Sequence, residues 1–140
     1  MTTVPLLFER ISYLLTDIEA HVAQLLQRQH RLGLSEYRAL QHLAAAEQHE
    51  LRIQELGTRL HLSQSAVSRL VLRLERDGLA IRDLCPNDKR GVYSVLTSAG
   101  RDKLNRIAKD YPDYYADAIA QAAVASTEHQ DILKLLQLSH

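Results

Sequence analysis

LSQSAVSRLVLRLERDGLAIRDLCPNDKRGVYSVLTSAG, residues 62–100, holds the reading on which the fold turns. In its first half Val67, Leu70, Val71 and Leu74 recur at spacings of three, one and three, which lines up one face of a helix. Gln64, Ser65, Ser68, Arg69 and Arg73 are left on the other face. Ser63 is placed to cap this helix, and Gly78 to stop it at the position that favours a left-handed residue. Immediately upstream, Ile53, Leu56 and Leu60 mark a shorter helix, so the Leu62-Ser63 junction reads as the turn of a helix-turn-helix. Downstream, residues 80–84 and 92–96 read as two strands, with Pro86, Asn87 and Gly91 punctuating the loop and Lys89-Arg90 making its end cationic. A helix-turn-helix followed by a basic wing fits duplex DNA, because the second helix enters a major groove while the wing reaches an adjacent minor groove.

Outward from this middle the chain is helical. From residue 6 to about 29, Leu7, Ile11, Leu14, Leu15, Ile18, Val22, Leu25 and Leu26 form one long apolar stripe, with Gly33 as its expected stop. Ser35 is the expected cap of a second helix, from 36 to about 47, through Leu40, Leu43 and Ala44. Thr97 caps a fifth helix, which Pro112 should break or kink near Tyr111 because proline has no amide donor. Thr127 with Gln130 resembles a capping box for a last helix carrying Ile132, Leu133, Leu135 and Leu136. The fold class is therefore mainly α with a small β-hairpin wing: a winged helix-turn-helix with N- and C-terminal dimerisation helices. Residues 1–140 are expected to form one domain, with a DNA-binding lobe at about 34–106 and dimerisation helices at about 1–33 and 107–140. The terminal stripes need a partner surface, and a two-fold dimer would set two recognition helices about 34 Å apart, one turn of duplex.

Composition sets bounds on function. No run approaches the roughly 20 apolar residues of a membrane span, and the N-terminus lacks the pattern of a signal peptide, so a cytoplasmic protein, nucleoid-associated when DNA-bound, is expected. Seventeen basic residues balance seventeen acidic ones, yet residues 52–106 hold 11 Lys and Arg against 6 Asp and Glu, while both flanks are net acidic. Phosphate binding depends on such local clusters and not on the total. Each outward residue of the recognition helix has a groove partner: Gln64 suits adenine, Arg69 suits guanine, and Ser65 and Ser68 suit bases or phosphates. Arg90 fits the negative potential of a narrow minor groove, Lys89 a phosphate, and Asp88 the role of an internal partner for Arg73 or Arg90 that organises the wing.

LSQSAVSRLVLRLERDGL (62–79) followed by PNDKRGVYSVLTSAG (86–100) resembles the MarR family of bacterial transcription factors. The wing Asp88-x-Arg90 and the Leu96-Thr97-x-x-Gly100 motif carry the likeness, and the helical ends fit the family's layout over nearly the whole chain. The resemblance implies a homodimer, with first and last helices interleaved, that binds a palindromic operator and usually represses neighbouring genes. By motif position it implies DNA contacts from Gln64, Ser65, Ser68, Arg69, Arg73 and Arg90. It also implies a small phenolic or other anionic effector, for which Arg10, His30 and Tyr37 are candidate contacts.

Two alternatives stand beside this reading. Cys85, the one cysteine, lies near Arg82 and Lys89, where a cation would activate a thiol for redox control. A winged helix used only for protein contacts is the other, and Arg69, Arg73, Lys89 and Arg90 argue against it. None of the seven histidines has the spacing of a metal ligand pair, so no metal and no cofactor are expected. No phosphate loop or nucleophile elbow is present, so an enzyme is not expected.

Overall fold

In a computed structural model, whose described residues are 3–84 and 91–138, the element order is α1 (Val4–His30), α2 (Leu34–Ala45), a single 3-10 turn (Glu47–His49), β1 (Glu50–Arg52), α3 (Ile53–Leu60), α4 (Gln64–Arg76), β2 (Ala80–Leu84), β3 (Val92–Leu96), α5 (Ser98–Ala125) and α6 (Thr127–Leu135). The chain divides into two compact units, Met1–Arg31 with Lys109–His140, and Leu32–Ala108. α5 runs through both, giving its first turns to the second unit and the remainder to the first. Among the described residues no helix is long and apolar enough to cross a membrane.

The first unit is built on α1, whose buried residues Leu14, Ile18, Val22 and Leu26 repeat every fourth position. Tyr114, Ala118 and Ala122 of α5 and Ile132 and Leu133 of α6 are buried in the same unit. Side-chain pairs then fix the register of these helices. His129 Nε2 lies 2.7 Å from Asp17 Oδ2, His21 Nε2 lies 2.6 Å from Asp117 Oδ2, and His30 Nε2 lies 3.2 Å from Asp110 Oδ2. The Tyr114 hydroxyl donates to Gln29 Oε1 at 2.7 Å. Burial, and secondarily the Asp110 carboxylate, push the Tyr114 hydroxyl above its ordinary pKa.

In the second unit a three-stranded antiparallel sheet of order β1-β3-β2 closes against α2, α3 and α4. Arg52 of β1 faces Tyr93 of β3, and Ile81 of β2 faces Val95. α4 ends in a Schellman motif: the Leu79 amide donates to the Leu74 carbonyl at 2.9 Å and the Gly78 amide to Glu75 at 3.0 Å, with Gly78 at φ 75°. Thr97 ties this corner to α5. Its hydroxyl donates to the Gly78 carbonyl at 2.7 Å and accepts the Gly100 amide at 3.0 Å. Gly100 must remain glycine, because a Cβ there would stand 2.0 Å from the Leu79 carbonyl oxygen.

The expected elements form with several corrections. Arg31, at φ 54°, takes the left-handed position that ends α1, and Gly33 instead caps α2 with Glu36 reaching back to accept its amide at 3.2 Å. Ser35 therefore lies inside α2, which ends at Ala45 and not near residue 47. Pro112 sits within an unbroken α5: only one intrahelical donor is lost, and the residue is exposed, where water can satisfy the carbonyl left over. The last helix is capped by Ser126, whose hydroxyl accepts the His129 amide at 3.3 Å, and not by Thr127. β1 has no counterpart in the sequence reading.

Candidate DNA-reading surface

Two local devices aim α4. His61, at φ 56°, ends α3, and the Leu62 amide returns to the Gly57 carbonyl at 2.9 Å, which makes the turn compact. Ser63 then caps α4, its Oγ accepting the Ala66 amide at 3.2 Å. Gly57 permits the close crossing of the two helices, since a Cβ there would stand 3.0 Å from Val67 Cγ1. Val67, Leu70, Val71 and Leu74 are buried, which leaves one rotation of α4 open to the core.

With that face pinned, Gln64, Ser65, Ser68 and Arg69 are all exposed on the first two turns of α4, and Leu72 and Arg76 continue the exposed side. In helix-turn-helix proteins generally, the N-terminal turns of the second helix are the part that faces base edges. Arg69 makes no ion pair among the described residues. Arg73 behaves differently: its Nε donates to Glu36 Oε1 at 2.8 Å, and Glu36 is mostly buried while Arg73 stays half-exposed. Arg76 pairs with Asp77 at 3.2 Å and Arg82 with Glu75 at 2.6 Å. Of the three arginines on α4, Arg69 is thus the one whose charge is least offset among the described residues.

Beside α4 lies a cleft of about 450 Å³ lined by Arg52, Gln54, Thr58, Gln64, Ser68 and Gly91 among others; the described residues of its wall include no carboxylate. Arg52 is held there by Tyr93, whose hydroxyl accepts its Nε at 3.0 Å and whose ring centroid lies 5.6 Å from the guanidinium carbon. Sequence reasoning missed Arg52, because it belongs to the unforeseen β1; only the pairing with Tyr93 across the sheet reveals it.

The remaining expectations divide. Cys85, Asp88, Lys89 and Arg90 lie outside the described residues. Of the three candidate effector contacts, Arg10 and His30 are twenty residues apart on one continuous helix, so about 30 Å separates them, far beyond one small ligand. Arg10 pairs with Glu128 at 3.5 Å and His30 with Asp110, while Tyr37 is a core residue of the second unit, 2% exposed. Burial pushes the Tyr37 hydroxyl above its ordinary pKa, partly offset by a hydrogen bond with Gln41.

Comparison with known proteins agrees with this geometry. A family model described as the MarR family matches residues 31–91. An uncharacterized HTH-type transcriptional regulator of Bacillus subtilis, YkoM, is 38% identical over 86 residues, 61% of this chain and 53% of its own length. That match spans about half of the relative. The homoprotocatechuate degradative operon repressor of Escherichia coli is 27% identical over 113 residues, 81% of this chain and 70% of its own. Sco3205, a MarR family transcriptional regulator from Streptomyces coelicolor solved in complex with DNA, is 30% identical with a TM-score of 0.76, over 98% of this chain and 86% of that one.

Proposed function

This chain belongs to the MarR family of transcriptional regulators, and from that premise we propose that it is a homodimeric, sequence-specific repressor that reads a palindromic operator through Gln64, Ser65, Ser68 and Arg69. The observation that carries the reading is the exposed polar and basic face on the first two turns of α4, fixed in rotation by its buried opposite face. Gln64 and Arg69 supply bidentate hydrogen bonds for adenine and guanine, and the two serines adapt to base or phosphate. Arg73 contributes charge to the same surface once its tie to Glu36 loosens. Lys89 and Arg90 extend the grip to the wing, with Asp88 organising it, as the family resemblance implies.

Dimerisation is supported by the first unit, where Val4, Phe8 and Leu15 on α1 and Leu135 and Leu136 at α6 are exposed. Val4, Phe8 and Leu15 follow spacings of four and seven, one side of a helix, and a monomer gains nothing by presenting that stripe to water. Repression, and relief by a small phenolic or other anionic effector, are supported by the likeness to a degradative-operon repressor, since such control requires release when the compound to be degraded is present.

Selection of bound fragments from a random duplex pool tests the proposal. Two inverted half-sites with centres about 10 base pairs apart are expected. Enrichment of no sequence would refute it.

A further inference from the structure

We propose that Leu72 is a specificity-determining residue of the DNA-reading face, contacting the C5-methyl group of a thymine in the operator; the inference rests on the DNA-reading function above. Val67, Leu70, Val71 and Leu74 of α4 are no more than 2% exposed, whereas Leu72 on the same helix is 51% exposed. A single exposed leucine is ordinary on a protein surface, but the place of this one is not. Seven residues are close to two helical turns, so Leu72 stands in line with Ser65, and its neighbours one turn back are Ser68 and Arg69. Arg76, exposed as well, follows one turn on. Leu72 therefore lies in the middle of the outward face, opposite the buried one, on the same stripe as three of the candidate base readers.

Two physical consequences follow from this placement. When the face enters a groove, water leaves it, and each polar side chain there needs a partner from the DNA; a leucine needs none and gains instead from apolar surface. Major-groove base edges offer one apolar group, the thymine methyl, so a leucine on this stripe favours thymine over the other bases. A rise of about 1.5 Å per residue sets Leu72 about 4.5 Å along the axis from Arg69, against about 3.4 Å per base-pair step, so the thymine should lie within about two base pairs of the pair read by Arg69.

Anisotropy titrations of a duplex from the selected pool test the assignment with the parent, Leu72→Ala and Leu72→Met. Each thymine of the half-site is replaced in turn by uracil, which removes the methyl group and leaves the hydrogen-bonding edges of the base as they were. For the parent, uracil at one thymine within about two base pairs of the position that Arg69→Ala relaxes should weaken binding about 4-fold, the worth of one buried methyl-sized group, and about 15-fold when both half-sites carry it. Leu72→Ala should bind the thymine and uracil duplexes alike, because its side chain no longer reaches. Leu72→Met keeps an apolar side chain of similar length and should still discriminate by about 2-fold or more. Both substitutions keep a strong helix former at an exposed position, so all variants should melt as the parent does.

A parent that binds thymine and uracil duplexes equally at every such position, or a selected half-site with no thymine there, would overturn the proposal. So would a Leu72→Ala protein that keeps the parent's discrimination, whatever its affinity, because the methyl would then be read by another residue. A pool from which the parent enriches no sequence would instead remove the DNA-reading premise, and the role of Leu72 with it.

Discussion

Replacing Glu36 by Gln should lower the stability of this protein and at the same time strengthen its grip on DNA. Glu36 sits at the head of α2 with two partners: one oxygen accepts the Gly33 amide at 3.2 Å and the other accepts Arg73 Nε at 2.8 Å. Its side chain is 13% exposed against 42% for Arg73, so the pair stands between a buried and a surface ion pair. A glutamine can keep the cap through its carbonyl but cannot hold the guanidinium as a carboxylate does. Surface pairs are worth about 0.2–1 kcal/mol and hydrogen bonds to charged groups about 1.5–3 kcal/mol, which brackets the loss near about 1–1.5 kcal/mol. For a chain of this size that corresponds to a fall in Tm of about 3–5 °C. On the DNA side, the same substitution removes one negative charge beside α4 and releases Arg73. If Arg73 then meets a phosphate, the log K against log salt slope should steepen by about 0.9. Thermal melting and salt-dependent anisotropy on one preparation read both effects. A variant that melts lower but binds with an unchanged slope would refute the idea that Glu36 restrains a DNA-facing arginine, and one unchanged in both would refute the ion pair itself.

Other expectations can be checked alongside. Arg69→Ala should cost about 1–3 kcal/mol of binding and relax preference at particular base pairs in a repeated selection, whereas a uniform loss across sequences would reassign Arg69 to phosphate. Thr97→Ala removes both the cap of α5 and the bond to the Gly78 carbonyl, for a loss of about 2–3 kcal/mol in denaturant unfolding, while Thr97→Ser should retain most of it; equal losses would contradict the hydroxyl's double role. Tyr114 has a hydroxyl pKa raised above 10.0, so the folded state holds its proton more tightly than the unfolded chain. The sign follows: stability is flat below about pH 10 and falls as pH rises from there through the folded value. Tyr114→Phe should be less stable at neutral pH by about 1 kcal/mol, from the lost bond to Gln29, yet decline less steeply in alkali, and an identical alkaline decline in urea melts would contradict the assignment.

What could be read from the chain was whatever local repetition writes into it. The inner and outer faces of α4 were legible because Val67, Leu70, Val71 and Leu74 mark burial at every turn, and the Ser63 cap and Gly78 stop act within three residues of their own backbone. The α1 stripe was legible for the same reason. Features made by distant partners were not. β1 is three residues long, too short to show alternation, and exists because β3, more than forty residues later, pairs with it. Arg73 reads as an outward contact until Glu36, 37 residues away, is seen to hold it. At the last helix Ser126 and Thr127 are both capping residues, and only backbone geometry decides between them. Residue chemistry alone allows Arg10 and His30 to share a ligand, whereas the length of an unbroken α1 separates them.

Hydroxyl-radical footprinting on a selected duplex most directly tests whether two copies of α4 read successive turns of one DNA helix. Two protected segments on the same side of the duplex are expected, their centres about 34 Å apart. A single protected segment, or none, would contradict the account.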